Sequence, residues 1–205
     1  MADMDTATLR RVAKHGSMFG RHVVVASLAA IGLAAVSGTP AASAHGGCAG
    51  AHRRISHTPR PVVQAAVVCL VNRQRTRRHL PRLHENAHLN RSAQGWTNVM
   101  VRAHAFSHGS NFSARISAVG FHWSMVGENI AAGYDTPASV VRAWMASPGH
   151  CRNILSPSFL DVGTGVSQGS VAGSPRPGTW TQDFGLPMGH HQPSVNTGPA
   201  SGCPY

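Results

Sequence analysis

Thr136 to Val166 reads TPASVVRAWMASPGHCRNILSPSFLDVGTGV, and a change of period inside this stretch decides the fold class. Thr136 suits a helix N-cap and Pro137 the first helical turn. Val140, Val141 and Trp144 then fall on one helical face. Ser147-Pro148-Gly149 ends that helix, because proline pushes the residue before it out of the helical region. From Val162 the period becomes two, with Val162, Thr164 and Val166 alternating with Gly163 and Gly165. A helix is followed by a strand.

Working outward, Thr179 to Phe184 forms a second strand-like stretch, and Gly169 to Gly178 between them carries serine, glycine and proline. The pair predicts a hairpin with a loose loop. Upstream, FSARISAV at 112–119 predicts a short helix closed by Gly120 as a left-handed cap. Before it, Leu89, Ala93, Trp96 and Met100 form one helical stripe behind Asn86, a candidate N-cap. Gly95 lies inside that helix at a cost of about 1 kcal/mol relative to alanine, so close packing is expected there. Pro61 opens the first helix, with Val63, Ala66, Val67, Leu70 and Val71 at helical spacing. Helices first and a small antiparallel sheet afterwards make an α+β layer arrangement.

The ends read differently. Arg10, Arg11, Lys14 and Arg21 precede Val23 to Val36, a 14-residue uncharged run, and Ala42-Ser43-Ala44 follows. That order is a secretory signal over residues 1–44, and the run is short of the roughly 20 residues a spanning helix needs. Met18 opens a more compact version of the same signal. Residues 45–60 are expected to be a flexible leader, 61–186 the folded domain, and 187–205 a disordered Gly/Pro/His tail that includes His190 and His191.

After residue 44 there remain fourteen basic residues, all arginine, and five acidic ones, a formal net charge of +9. Such a surface favours polyanions. Only Arg73 to Arg82 is dense in arginine, and no aromatic interleaves it, so a specific nucleic-acid platform is not expected. The four cysteines suit an oxidising compartment and allow three pairings. The absence of CxxC argues against a zinc knuckle.

Six short strings, in a fixed order, carry a family resemblance. Leu70-Val71-Asn72-Arg73-Gln74-Arg75 is similar to the opening helix of bacterial CAP (SCP, cysteine-rich secretory protein) domains. Phe106-Ser107-His108 resembles their F-S-H, and Gly127-Glu128-Asn129-Ile130-Ala131 their G-E-N-I-A. Ala143-Trp144-Met145-Ala146-Ser147-Pro148-Gly149-His150, continued by Asn153-Ile154-Leu155, resembles A-W-M-x-S-P-G-H. Val162 to Val166 and Thr181-Gln182-Asp183-Phe184-Gly185 resemble the closing strands.

The resemblance implies an α–β–α sandwich around a three-stranded antiparallel sheet, with a cavity gathering His108, Glu128 and His150. Many eukaryotic relatives carry a glutamate where this chain has Ser147. Asn72, Arg75, Asn129 and Trp144 are expected to serve the structure, and Trp96, Trp123 and Trp180 to face the core. The implied fold also suggests a Cys69–Cys151 bridge, leaving Cys48 and Cys203 to pair with each other.

Two imidazoles and a carboxylate in one cleft allow three chemistries. They can hold zinc or another divalent cation, act as an acid–base set, or brace loops by hydrogen bonding. Nothing resembles a nucleophilic triad, and Ser147, before proline at a helix end, reads as a brace or cap. The leading expectation is a secreted, monomeric extracellular module that binds a lipid, sterol-like, metal-ion or envelope ligand. A metal-dependent or acid–base hydrolase acting on extracellular or envelope substrate is the competing reading. Polyanion binding through the basic surface is a third.

Overall fold

The computed structural model describes residues 47–174, 176–191 and Cys203. The expected signal lies outside the described residues, as does most of the expected tail. Among the described residues five α-helices and four strands follow in chain order: α1 (Arg60–Thr76), β1 (His84–Glu85), α2 (Ala87–Arg102), α3 (Phe112–Ala118), β2 (Trp123–Ala132), α4 (Pro137–Met145), α5 (Pro148–Leu155), β3 (Asp161–Ser167) and β4 (Thr179–Pro187). Local signals set most of the boundaries. Asn86 caps α2 by accepting from His88 N at 2.9 Å and Leu89 N at 3.4 Å. Thr136 and Ser139 form a reciprocal capping box on α4. Gly120, after α3, takes a φ of +83°, the left-handed turn expected of it.

The sheet order is β1-β3-β4-β2, with β2–β4 and β3–β4 antiparallel and the two-residue β1 parallel to β3. The family's three strands are thus joined by a short fourth. Helices α2 and α3 cover one face; α1, α4 and α5 cover the other, an α–β–α sandwich. On the α1 side Val67, Val71, Val140, Trp144, Val162, Trp180 and Phe184 share one buried cluster. On the α2 side the V-G-T-G-V alternation acquires its reason. A Cβ on Gly163 or Gly165 would lie 2.2–2.3 Å from the backbone of α2, so glycine at both positions lets the helix lie directly on the strand.

Four expectations need correction. Ser147-Pro148-Gly149 ends α4 but also begins α5, because proline suits the first turn of a helix as well as it blocks the interior of one. The leader is not loose where it is described. Cys48, Ala51 and Ile55 are buried, Ile55 N donates to Asp135 O at 2.9 Å, and Ala138 N donates to Ala51 O at 2.8 Å.

The disulfides join Cys48 to Cys69 and Cys151 to Cys203, replacing the expected Cys69–Cys151 and Cys48–Cys203 pairs. The packed 47–60 segment brings Cys48 to α1, and the chain returns at Cys203 to meet α5. Finally, Gly95 is not a close-packing point: a Cβ there would meet nothing within 4 Å.

Two polar side chains of α1 are sealed inside by loops. Asn72 exchanges hydrogen bonds with the backbone of Leu83, at 2.9 and 2.7 Å. Arg75 is wholly buried and donates to the carbonyls of Pro81, Ile154, Ser156 and Phe159. No carboxylate is among these partners, and burial pulls its pKa down to about 10.

Candidate functional site at the outer edge of β2

Strand β2 is an edge strand, and both helical layers reach around it. From the α2 side come the loop bearing His108 and the helix bearing Arg115; from the other side comes α5 bearing His150. Glu128 sits on β2 between them, its side chain 1% exposed. His108 Nδ1 lies 2.8 Å from Glu128 Oε1, and Arg115 Nη2 donates to Glu128 Oε2 at 2.6 Å. An ionised carboxylate only accepts, so both contacts place a donor on Glu128, the Nδ1–H of His108 and the guanidinium of Arg115.

Arg115 is fixed from two further directions. Its Nη1 donates to His108 O at 3.0 Å, and its guanidinium lies 3.8 Å over the Trp96 ring. Trp96 in turn donates to Ser107 O at 2.9 Å. Trp96 therefore departs from the expected core role: half-buried, it is the platform on which this network rests. Trp123 is also only half-buried, donating to Ser117 Oγ, whereas Trp144 and Trp180 are fully enclosed.

Asn129, the residue after the glutamate, points to the opposite layer. It is fully buried, donates to His150 O at 3.3 Å and to Gln182 Oε1 at 3.2 Å, and accepts from Asn153 Nδ2 at 2.8 Å. Its amide ties the backbone of His150 to the sheet. His150 is half-buried, and its pKa is lowered, chiefly by burial and further by the charge of nearby His108.

A cleft of about 530 Å³ opens beside His150. Phe106, Ile130 and Trp144 supply apolar wall, and Ser147, His150 and Arg176 supply polar groups. His108 and Glu128 meet each other next to this cleft but do not line it. Ser147 occupies the N-cap position of α5 without making a side-chain cap bond, so the expected capping role is not filled.

The residues do not fit the metal centre anticipated from His108, Glu128 and His150. Both oxygens of Glu128 are taken, one by an imidazole and one by a guanidinium. A cation would have to displace Arg115 from a buried ion pair. Among the described residues, no group of three or more His, Cys, Asp or Glu side chains is placed to hold a metal ion.

Two members of the site escaped the sequence reading. Arg115 is the lone charge in FSARISAV, which was the available signal. Asp183 is the cross-strand partner of Glu128 and only 1% exposed. Ser92 is its neighbouring hydroxyl, yet neither carboxyl oxygen makes a hydrogen bond of ordinary geometry. Burial, and then the adjacent Glu128 charge, push its pKa well above the usual carboxylate range.

Comparisons with known proteins agree with this architecture. The family model described as the cysteine-rich secretory protein family matches residues 68–184. An uncharacterised Bacillus subtilis protein, YkwD, is 38% identical over 124 residues, covering 58% of this chain. The chain spans 45% of that relative's length.

Among solved structures, an extracellular SCP-domain protein of Bacillus anthracis is similar with a TM-score of 0.52 and 24% identity, over 62% of this chain and 44% of the other. An outer surface protein of Borrelia burgdorferi has a TM-score of 0.52 and 18% identity, over 58% of this chain and 87% of the other. Both likenesses concern the fold. With more than half of the sequence matched by the family model, this chain belongs to the cysteine-rich secretory protein (CAP) family.

Proposed function

We propose that the protein is exported and works outside the cell as a binding module, its ligand entering the cleft beside His150. Export is supported by the signal-like residues 1–44, the two disulfides and the extracellular or surface descriptions of structural neighbours. The observation that carries the binding reading is the complete engagement of Glu128 by His108 and Arg115. A carboxylate held by two donors and 1% exposed is not free to take a proton from a substrate. The cleft instead offers an apolar wall ending in Ser147, His150 and Arg176, which suits a lipid-like or envelope ligand with an anionic end.

Titration with lysophosphatidylglycerol, an acyl chain with a phosphate head, tests this. Binding is expected to weaken at least roughly tenfold in Ala172→Trp, which fills the mouth of the cleft, and to survive His108→Ala. Equal binding by the filled variant overturns the reading. Zinc and chelator are both expected to leave the melting temperature unchanged; stabilisation at one zinc per chain overturns the poor fit of the metal centre.

A second reading, an acid–base hydrolase acting on extracellular or envelope substrate, draws on Asp183, a buried carboxyl group beside Glu128. It requires turnover of a cell-envelope polymer that is lost in folded Glu128→Gln.

A further inference from the structure

The opposite edge of the sheet carries a second concavity. Strand β1 covers β3 only at Asp161 and Val162, and beyond that point amide side chains from both helical layers close the exposed backbone. Gln64 of α1 donates to Thr164 O at 2.7 Å. Asn90 of α2 accepts from Thr164 N at 2.8 Å. Gln94 both donates to Val166 O and accepts from Val166 N, at 3.0 and 3.1 Å.

Outside this row a groove of about 490 Å³ lies between the start of α1 and the middle of α2, with Arg60 and Arg91 among its walls and no acidic residue lining it. Glu85, just beyond, holds Asn90 Nδ2 at 2.9 Å. Arg60 is exposed and enters no ion pair among the described residues. Arg91 is exposed, with Nη2 directed to Val119 O and His88 Nδ1.

Gly95 is the independent observation. It lines this groove, has helical neighbours on both sides, and has open space where a side chain would stand. Glycine weakens a helix interior relative to alanine, and no packing demand in the fold requires it. What its bare backbone does is keep the groove floor flat and accessible.

We propose that this groove binds a strand of acidic glycan. Sugar hydroxyls both donate and accept hydrogen bonds, matching primary amides, which do the same. Gln94 spends both amide hydrogens, on Asn98 Oδ1 and Val166 O, and keeps acceptor capacity at Oε1, whereas the Asn98 amide group makes no other hydrogen bond among the described residues and keeps its donors. Arg60 and Arg91 offer guanidinium forks to acidic groups along the strand, and Gly95 admits a ring against the helix. Lying along β3 while the His150 cleft lies beside β2, the groove is independent of the binding reading above.

The probe is hexagalacturonate, titrated into the full oxidised chain, with its methyl ester and a polyphosphate of equal charge alongside. Arg60→Ala is expected to weaken binding roughly tenfold, the effect of one lost charge-assisted contact, and Gly95→Leu by at least as much. His150→Ala should leave it unchanged. Gly95→Ala should raise the melting temperature, separating the needs of the helix from those of the groove.

Three outcomes overturn the proposal. They are no binding of hexagalacturonate, equal binding of the neutral ester, or polyphosphate bound as tightly and insensitive to Arg60→Ala and Gly95→Leu. The last would mean diffuse surface charge alone.

Discussion

The two outer edges of the sheet face the same hazard, a row of unpaired backbone groups, and meet it with different chemistry. Along β3 the closing groups are neutral amides: Gln64, Asn90 and Gln94 satisfy Thr164 and Val166. Along β2, Asn153 donates to Glu128 O at 3.1 Å and Trp144 to Ile130 O at 3.3 Å. There the cover continues into titratable groups: His108, Arg115, Glu128 and, one strand inward, Asp183. Sealing an edge needs only hydrogen bonds. Two carboxyl groups buried side by side exceed what sealing requires, so the β2 edge is closed by titratable groups where the β3 edge is closed by neutral amides.

Breaking the close approach at the β3 edge should have the largest effect. Gly165→Ala places a Cβ 2.3 Å from the carbonyl group of Ala93, backbone that cannot rotate away, so α2 must lift from the sheet. A loss above about 4 kcal/mol in urea unfolding is expected; a loss below 1 kcal/mol would mean that the seam yields easily. Next comes the β2 edge. Arg115→Met leaves Glu128 beside Asp183 without its guanidinium, and removing one partner of a buried pair costs about 3–5 kcal/mol. Arg115 is itself 21% exposed, so the lower end of that range is expected. A variant as stable as the parent would show that the Arg115–Glu128 pair contributes nothing net to the fold.

The difference between the edges also explains what the sequence made legible. Caps and turns are written locally, in one or two residues each. Asn86, Thr136 with Pro137, and Gly120 were therefore read correctly. The motif strings named His108, Glu128 and His150 for one cavity; in the fold His108 meets Glu128, while His150 alone of the three lines the cleft.

Features that depend on which distant segments meet were not legible. Proline signals both the end of one helix and the start of the next, so α5 was missed. Cysteine pairing follows the packing of 47–60 and the return of Cys203, and no spacing reports either. Asp183 was visible only as one letter of a strand motif; its burial opposite Glu128 is a fact of register. Gly95 was read by its usual cause, close packing, where the structure shows open space.

The smallest and most discriminating effect concerns Asp183. Its folded pKa is raised well above 3.8, so over the interval between those values the native state holds a proton that the unfolded chain has released. Stability then falls as pH rises through that window. His150, whose folded pKa is lowered from 6.5, has the opposite sign: its contribution is present above 6.5 and lost as pH falls. Asp183→Asn removes the first trend and leaves the second. The variant should match the parent near pH 4 and gain on it as the pH rises above that, as read from urea midpoints at each pH. A constant gap across that range would mean that Asp183 is ionised throughout. The β2 edge would then hold two buried carboxylates side by side, in place of one ion pair beside a neutral acid.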